Sequence, residues 1–188
     1  MYYIATIKGK VSVHPSKFEM SKKDAIKTSL EEKLEGLVDK QIGIILAVTR
    51  VGEIEEAKIY PGNGSLHYPV EFDVLVYYPE EHEIVIGDVI DVTEFGVFVR
   101  IGPLDGMIHV SQLMDDFVSF DSKNAMFVGR ETKWTLKEGD IVRARIISVS
   151  LGKEYKIGLT TRQPGLGGLH WKARKKEVGK PVKKAKKR

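Results

Sequence analysis

The chain has 188 residues, 42% apolar and 30% charged, and no cysteine. That composition is globular rather than disordered, leaves no disulfide framework or thiolate metal site, and contains no run near the roughly 18 apolar residues of a membrane span, so the chain reads as a cytoplasmic protein without a membrane partner. The net charge of +4 misleads: residues 172–188 (KARKKEVGKPVKKAKKR) hold ten Lys or Arg and one Glu, and the 20 basic and 25 acidic groups before them leave the body at −5. The basic tail is expected to be a disordered, solvated end, with phosphate contact as its other use.

Residues 2–13 are rich in Tyr, Ile, Val and Thr and read as a strand that His14-Pro15 ends. Ser21 with Asp24 resembles a capping box, Ile26, Leu30, Leu34 and Leu37 recur at helical spacing, and Gly36 suits the position past the helix end, which gives one helix of about four turns. The apolar run IGIILAV (42–48), the shorter EEAKIY (55–60), the turn PGNG (61–64) and the alternating VEFDVLVYY (70–78) complete a β-α-β-β-β order. One helix covers one face of such a sheet, so the other face or edge is expected to meet a partner. Pro79 and EEHE (80–83) read as a hinge.

From Ile84 the period changes to IVIGDVIDVTEFGVFVRIG, GMIHV, GDIVRARIISVS and KIGLTT, five short strands with glycines at the bends. This pattern suggests a small barrel of the oligonucleotide-binding type. The polar segment 114–138 between the third and fourth strands is either a loop that carries a function or an insertion. The boundaries are therefore 1–79, 80–165 and a C-terminal segment 166–188, and the fold class is α+β.

Alternation along strands sorts the barrel residues by face. Val97, Val99 and Ile101 point in, leaving Phe98 and Arg100 out; Ile108 and Val110 point in, leaving His109 out; Val142, Ala144 and Ile146 point in, leaving Arg143 and Arg145 out. Phe95 joins Phe98 on the outer side if Gly96 carries a bulge. An exposed phenylalanine forgoes roughly 1.5–3 kcal/mol of burial, and stacking on an unpaired base returns about 1–3 kcal/mol, with arginines beside it for the phosphates.

GDVIDVTEFGVFVRIGPLDGMIHVSQL, GDIVRARIISVS and KIGLTT together resemble an S1 RNA-binding domain. With PGNG, HYPVEFDVLVYYPE, IGPLDGMIHVSQLMDD and RQPGLGGLHW, residues 1–171 are similar to the family of archaeal DNA-directed RNA polymerase subunit 7, also called E-prime. The resemblance implies an RNP-like N-terminal tip domain and an S1 barrel, in a non-catalytic stalk subunit that pairs with RNA polymerase subunit 4. It further implies that Pro61, Gly62, Asn63 and Gly64 contact the large core subunits, biasing the clamp toward closure during initiation. Single-stranded transcript would be held by Phe95, Phe98, Arg100, His109, Arg143, Arg145 and Lys156. Many S1 domains carry an acidic residue just after the fourth strand, where Ser150 stands here. The alternative is an S1 adaptor of an exosome or of the ribosome, which PGNG and HYPVEFDVLVYYPE do not suit; a spacer that never meets RNA is the third reading.

Catalytic signatures are missing from the sequence. Asp115, Asp116 and Asp121 lack the glycine-bracketed triplet of a polymerase magnesium loop, and there is no GxxxxGK[ST] or HExxH, so neither a metal nor a cofactor is expected. Glu81-His82-Glu83 reads as an exposed hinge and GLGG (165–168) as a turn. Residues 84–165 carry ten basic and eleven acidic groups, so RNA binding by the barrel should be local and weakly salt-dependent.

Overall fold

The computed structural model describes residues 1–60, 64–152 and 155–171. The chain runs β1 (Tyr2–Val13), α1 (Lys22–Leu34), β2 (Val38–Asp39), β3 (Gly43–Ile54), β4 (Lys58–Ile59) and β5 (Leu66–Tyr77), then β6 (Ile84–Thr93), β7 (Gly96–Ile101), β8 (Leu104–His109), β9 (Val118–Asp121), β10 (Met126–Gly129), β11 (Thr135–Lys137), β12 (Ile141–Ser150), β13 (Lys156–Thr160) and β14 (Gly167–Gly168).

The first sheet has the order β1-β5-β3-β2, with β4 on the end of β5. β1 and β5 pair along their whole length, from Tyr2 opposite Tyr77 to Val13 opposite Leu66. Even-numbered Val70, Phe72, Val74 and Val76 face one side, where α1 lays Ala25, Ile26 and Leu30 against them and against Val11, Val13, Ile45 and Val48. The helix starts at Ser21, whose hydroxyl oxygen accepts the Asp24 N–H at 3.2 Å and donates to the Asp24 carboxylate at 2.6 Å. Gly36, at φ +79°, turns the chain away after the helix, as a left-handed glycine does. The helix ends at Leu34 with Gly36 just past its cap, as expected, while Leu37 lies exposed beyond it rather than on its apolar stripe. Two further differences are the short β2, which the sequence pattern does not reveal, and the reduction of EEAKIY to the two residues of β4.

The second sheet closes into a barrel. β6, β7 and β8 form an antiparallel meander, β12 pairs with β6 and β13, and β13 runs parallel to β8 through Gly158 opposite Met107 and Leu159 opposite Ile108. Val97, Val99, Ile108, Val142, Ala144, Ile146 and Leu159 fill it, all inaccessible to solvent, as alternation requires. Residues 114–138 form neither a bare loop nor a helix but a three-stranded antiparallel sheet, β11-β10-β9, that buries Phe127 and Leu136 against the barrel core.

The two halves meet through side chains rather than through a bare linker. Ile44 and Tyr77, on the face of the first sheet away from α1, join the barrel's apolar cluster. Burial, reinforced by Glu83 and Tyr2 nearby, pushes the Tyr77 phenol up to about 12. The segment read as a hinge is held: His82 N–H donates to Ile146 O, Ile146 N–H donates to Glu83 O, and the Met1 ammonium bonds Tyr78 O and the Glu83 carboxylate.

Candidate nucleic-acid interface

Registers on β7, β8 and β13 assemble the site row by row. Arg100 pairs with Asp105, Phe98 with Met107 and Gly96 with His109; Gly158 continues the Phe98–Met107 row, and Lys156 lies two residues earlier on the same strand, level with Asp105. Phe98, Met107 and Gly158 thus share the outer surface, flanked by Arg100 and Lys156 at one end and His109 at the other. Met107 and Asp105 carry no motif that marks them in the sequence, although strand alternation assigns them to this face as soon as the pairing is known.

Phe95 does reach Phe98, at 6.4 Å between centroids and perpendicular planes. The mechanism differs from the expectation: Phe95 stands in the tight turn between β6 and β7, and the register shift lies across the hairpin in β6, between Val89 and Asp91, not at Gly96. Gly96 serves another purpose, since a Cβ there would stand 2.4 Å from Ile108 O, and only glycine lets β7 and β8 close at this end. Phe95 is 50% exposed, and the edge of one ring against the face of the other leaves an open aromatic step.

His109 is fixed by the chain that follows. Its Nδ1 accepts the Ser111 N–H at 3.3 Å and lies 2.8 Å from the Ser111 hydroxyl. Because the backbone N–H can only donate, the neutral imidazole carries its proton on Nε2 and presents a donor. Arg100 donates from Nε to Asp105 Oδ1 at 3.2 Å and has Asp88 opposite it on β6, so its charge is largely matched in place. Lys156 is exposed.

Arg143 and Arg145 lie on β12 opposite Ile86 and Ile84 of β6, and Arg145 also stands opposite Thr160 of β13, in the row that holds His109. Both are held by the segment after β13: Arg143 Nη1 donates to Gly165 O at 3.4 Å, and Arg145 Nη1 to Gln163 Oε1 at 3.1 Å. That segment is a strap. β14 pairs with Val142 and Arg143, and the Trp171 indole then stacks on Trp134 of the inserted sheet at 5.0 Å and 9°. GLGG is therefore part strand, with Gly167 and Gly168 bare because the Trp171 ring lies on them.

The carboxylates considered for magnesium have other partners. Asp115 pairs with Arg162 at 3.0 Å, Asp121 accepts from Asn124 and Lys123, and Asp116 accepts from Thr132 and Glu131 backbone N–H groups and the Thr132 hydroxyl. Those donors, Thr132 N–H first, hold the Asp116 carboxyl below the usual carboxylate range. Among the described residues no three His, Cys, Asp or Glu are grouped as a metal would need, and no helix is long and apolar enough to cross a membrane. Of the four residues expected to meet the polymerase core, Pro61, Gly62 and Asn63 lie outside the described residues, as does the basic tail; Gly64 sits beside Pro15. Around it the structure adds Phe18, Met20, Ile59 and Tyr60, all exposed, at the end of the first sheet remote from the barrel.

A closed five-strand barrel that exposes a Phe pair and a histidine on adjoining strands, carried on a helix-backed sheet, defines an S1-type OB-fold module attached to an SHS2 domain. Both match family models: "S1 RNA binding domain" over residues 78–160, and "SHS2 domain found in N terminus of Rpb7p/Rpc25p/MJ0397" over 8–64. DNA-directed RNA polymerase subunit Rpo7 of Sulfolobus acidocaldarius is 40% identical over 91% of this chain and 94% of its own, and DNA-directed RNA polymerase II subunit RPB7 of Saccharomyces cerevisiae 29% identical over 65% and 72%. The chain belongs to the Rpo7/RPB7 family of RNA polymerase subunits. Among solved structures, the apo form of Mycoplasma genitalium RNase R aligns at 27% identity over 42% of this chain and 13% of that one, with a TM-score of 0.38.

Proposed function

We propose that the chain is a non-catalytic stalk subunit that takes hold of single-stranded transcript on the outer face of β7, β8 and β13. The observation that carries this is the step formed by exposed Phe95 and half-buried Phe98, beside an exposed His109 whose Nδ1 is taken by Ser111. Flat rings stack on unpaired bases irrespective of sequence, the imidazole supplies a hydrogen bond, and Lys156 with the partly matched Arg100 steadies the backbone. With so few free cations, stacking and not phosphate attraction provides most of the affinity.

Residues 1–79 act as the docking half and 80–165 as the RNA-binding half. The tip built from Pro61 to Gly64, with Phe18, Met20, Ile59 and Tyr60 around it, inserts into the large polymerase subunits; Ile59 is 71% exposed, a poor surface for water and a good one for a protein pocket. RNA polymerase subunit 4 covers a second apolar surface, on the sheet face away from α1. There Ile4, 64% exposed, lies opposite Leu75, the Tyr2 hydroxyl reaches Gly102, and Ile84 and Ile86 stand exposed on β6. A helical partner laid across both halves would bury this strip and stiffen the junction. Action on the clamp during initiation follows from the tip, and the protein works where transcription does, in the cytoplasm.

The test is the affinity of the full chain for labelled oligouridylate by fluorescence anisotropy at 0.3 M salt. Phe98→Ala should weaken binding by about 5-fold to 150-fold, the value of one stacked base, about 1–3 kcal/mol. Wild-type affinity in this variant would refute the assignment.

A further inference from the structure

Phe117 is 75% exposed, the most exposed phenylalanine among the described residues, and the S1 face does not use it. It is not on a slack loop. Its carbonyl accepts the Arg130 N–H at 2.8 Å, and the preceding Asp116 carboxylate is saturated by Glu131 and Thr132. The turn is pinned to the inserted sheet from both sides, so the ring is presented to solvent by a rigid support. The other aromatic rings of that sheet are covered: Phe120 packs on Phe127, and Trp134 on Trp171.

Its position continues the S1 face. Thr160, at the end of β13, stands level with His109. The next residues bind the chain that leads from His109 to Phe117: Thr161 N–H donates to Gln112 O, its hydroxyl to Leu113 O, and Arg162 reaches Asp115 with two nitrogens at 3.0 and 3.2 Å. Beyond the His109 end of the face come, in order, the half-exposed Arg162 guanidinium, Phe117 and Arg130, whose side chain has no partner among the described residues. Alternating rings and guanidiniums along one track suit a nucleic-acid strand: rings take bases and cations take the phosphates between them. A protein pocket would instead call for neighbouring apolar side chains, and Phe117 is flanked by Asp115, Asp116, Arg130 and Glu131.

We infer that the RNA track extends past the S1 face onto the inserted sheet, with Phe117 as a second stacking platform and Arg162 and Arg130 as its phosphate contacts. The inference rests on the RNA reading of the S1 face. It makes the inserted sheet a device for lengthening the binding site: short oligonucleotides engage Phe95 and Phe98 alone, and longer ones gain Phe117.

Full-length protein is titrated with labelled oligouridylates of increasing length at 0.3 M salt, comparing wild type, Phe98→Ala, Phe117→Ala and Phe117→Trp. Phe98→Ala should weaken every length. Phe117→Ala should leave the shortest binding oligomer unchanged and weaken the longest by about fivefold or more, as expected for one lost stack, and Phe117→Trp should restore it. If Phe98→Ala weakens binding while Phe117→Ala matches wild type at every length, the extension is wrong and the S1 face stands. The same RNA result with reduced retention of polymerase subunits on tagged Phe117→Ala would assign the ring to a protein contact and also overturn the inference. If Phe98→Ala is inert at every length, the face itself is wrong and the extension falls with it. Phe117 is so exposed that its removal should leave the melting temperature of the protein unchanged, which guards each comparison.

Discussion

Trp171→Ala should unfasten the strap that ties the inserted sheet to the barrel. The indole stacks on Trp134 at 5.0 Å and donates from Nε1 to Thr135 O at 2.8 Å. An aromatic pair contributes about 0.5–1.5 kcal/mol beyond its buried area, and a neutral hydrogen bond about 0.5–1.5 kcal/mol. The ring also covers Gly167 and Gly168 so closely that a Cβ would come within 2.2 and 2.8 Å of it, and uncovering them costs roughly 1–2 kcal/mol more of apolar burial. Trp171 is only partly buried, which places the total near 3 kcal/mol, the low end of the range for removing a large aromatic. Trp171→Phe keeps the stack and loses only the hydrogen bond, about 1 kcal/mol. Guanidinium unfolding followed by tryptophan fluorescence and by circular dichroism should show the midpoint falling in the order wild type, Phe, Ala. The strap also restrains Arg143 and Arg145 through Gly165 and Gln163. Freed guanidiniums should raise non-specific RNA binding in Trp171→Ala at low salt. A Trp171→Ala midpoint equal to wild type, with unchanged low-salt binding, would refute the strap.

Gly96→Ala should destabilise by more than about 2 kcal/mol, because its Cβ would strike the β8 backbone, whereas Gly139→Ala, with open space at φ +84°, should cost only about 1 kcal/mol of backbone strain; thermal melts separate them. Asp116→Asn should be less stable than wild type at neutral pH. The folded carboxyl is depressed, so its stabilisation is present above the ordinary carboxylate value of 3.8 and lost as the pH falls through the folded value; the gap between the two melts should close below pH 3.8. Deleting 172–188, with its ten basic residues, should flatten the salt dependence of RNA binding, while Phe98→Ala should lower affinity at every salt concentration and leave the slope alone. Ile4→Asp and Ile59→Asp should each leave the melting temperature nearly unchanged, since both side chains are mostly exposed; on tagged native purification with mass spectrometry the first should lose a small helical subunit and the second the large polymerase subunits.

Strand alternation makes the barrel core legible, because inward and outward residues differ in kind at Val97 to Ile101 and at Val142 to Ile146. The S1 motif likewise marks Phe95, Phe98, Arg100 and His109 in the sequence alone. What stays hidden depends on pairing between distant segments. The tethering of Arg143 and Arg145 by Gly165 and Gln163 follows from the segment after β13 returning beside β12, which local alternation cannot report. The inserted sheet is held by contacts such as Asp116 to Thr132 and Trp134 to Trp171, whose partners are far apart in sequence and carry no periodic signal. Leu37 misleads because it keeps the helical spacing after Gly36 has already turned the chain.

The most direct test places the protein in its polymerase and asks which residues the transcript touches. Elongation complexes would be assembled with this chain and a nascent RNA bearing one 4-thiouridine, walked outward from the exit channel, and cross-linked peptides identified by mass spectrometry. Cross-links should first reach peptides spanning Phe95, Phe98 and His109. Cross-links confined to residues 172–188, or none on this chain, would contradict an RNA-holding S1 face.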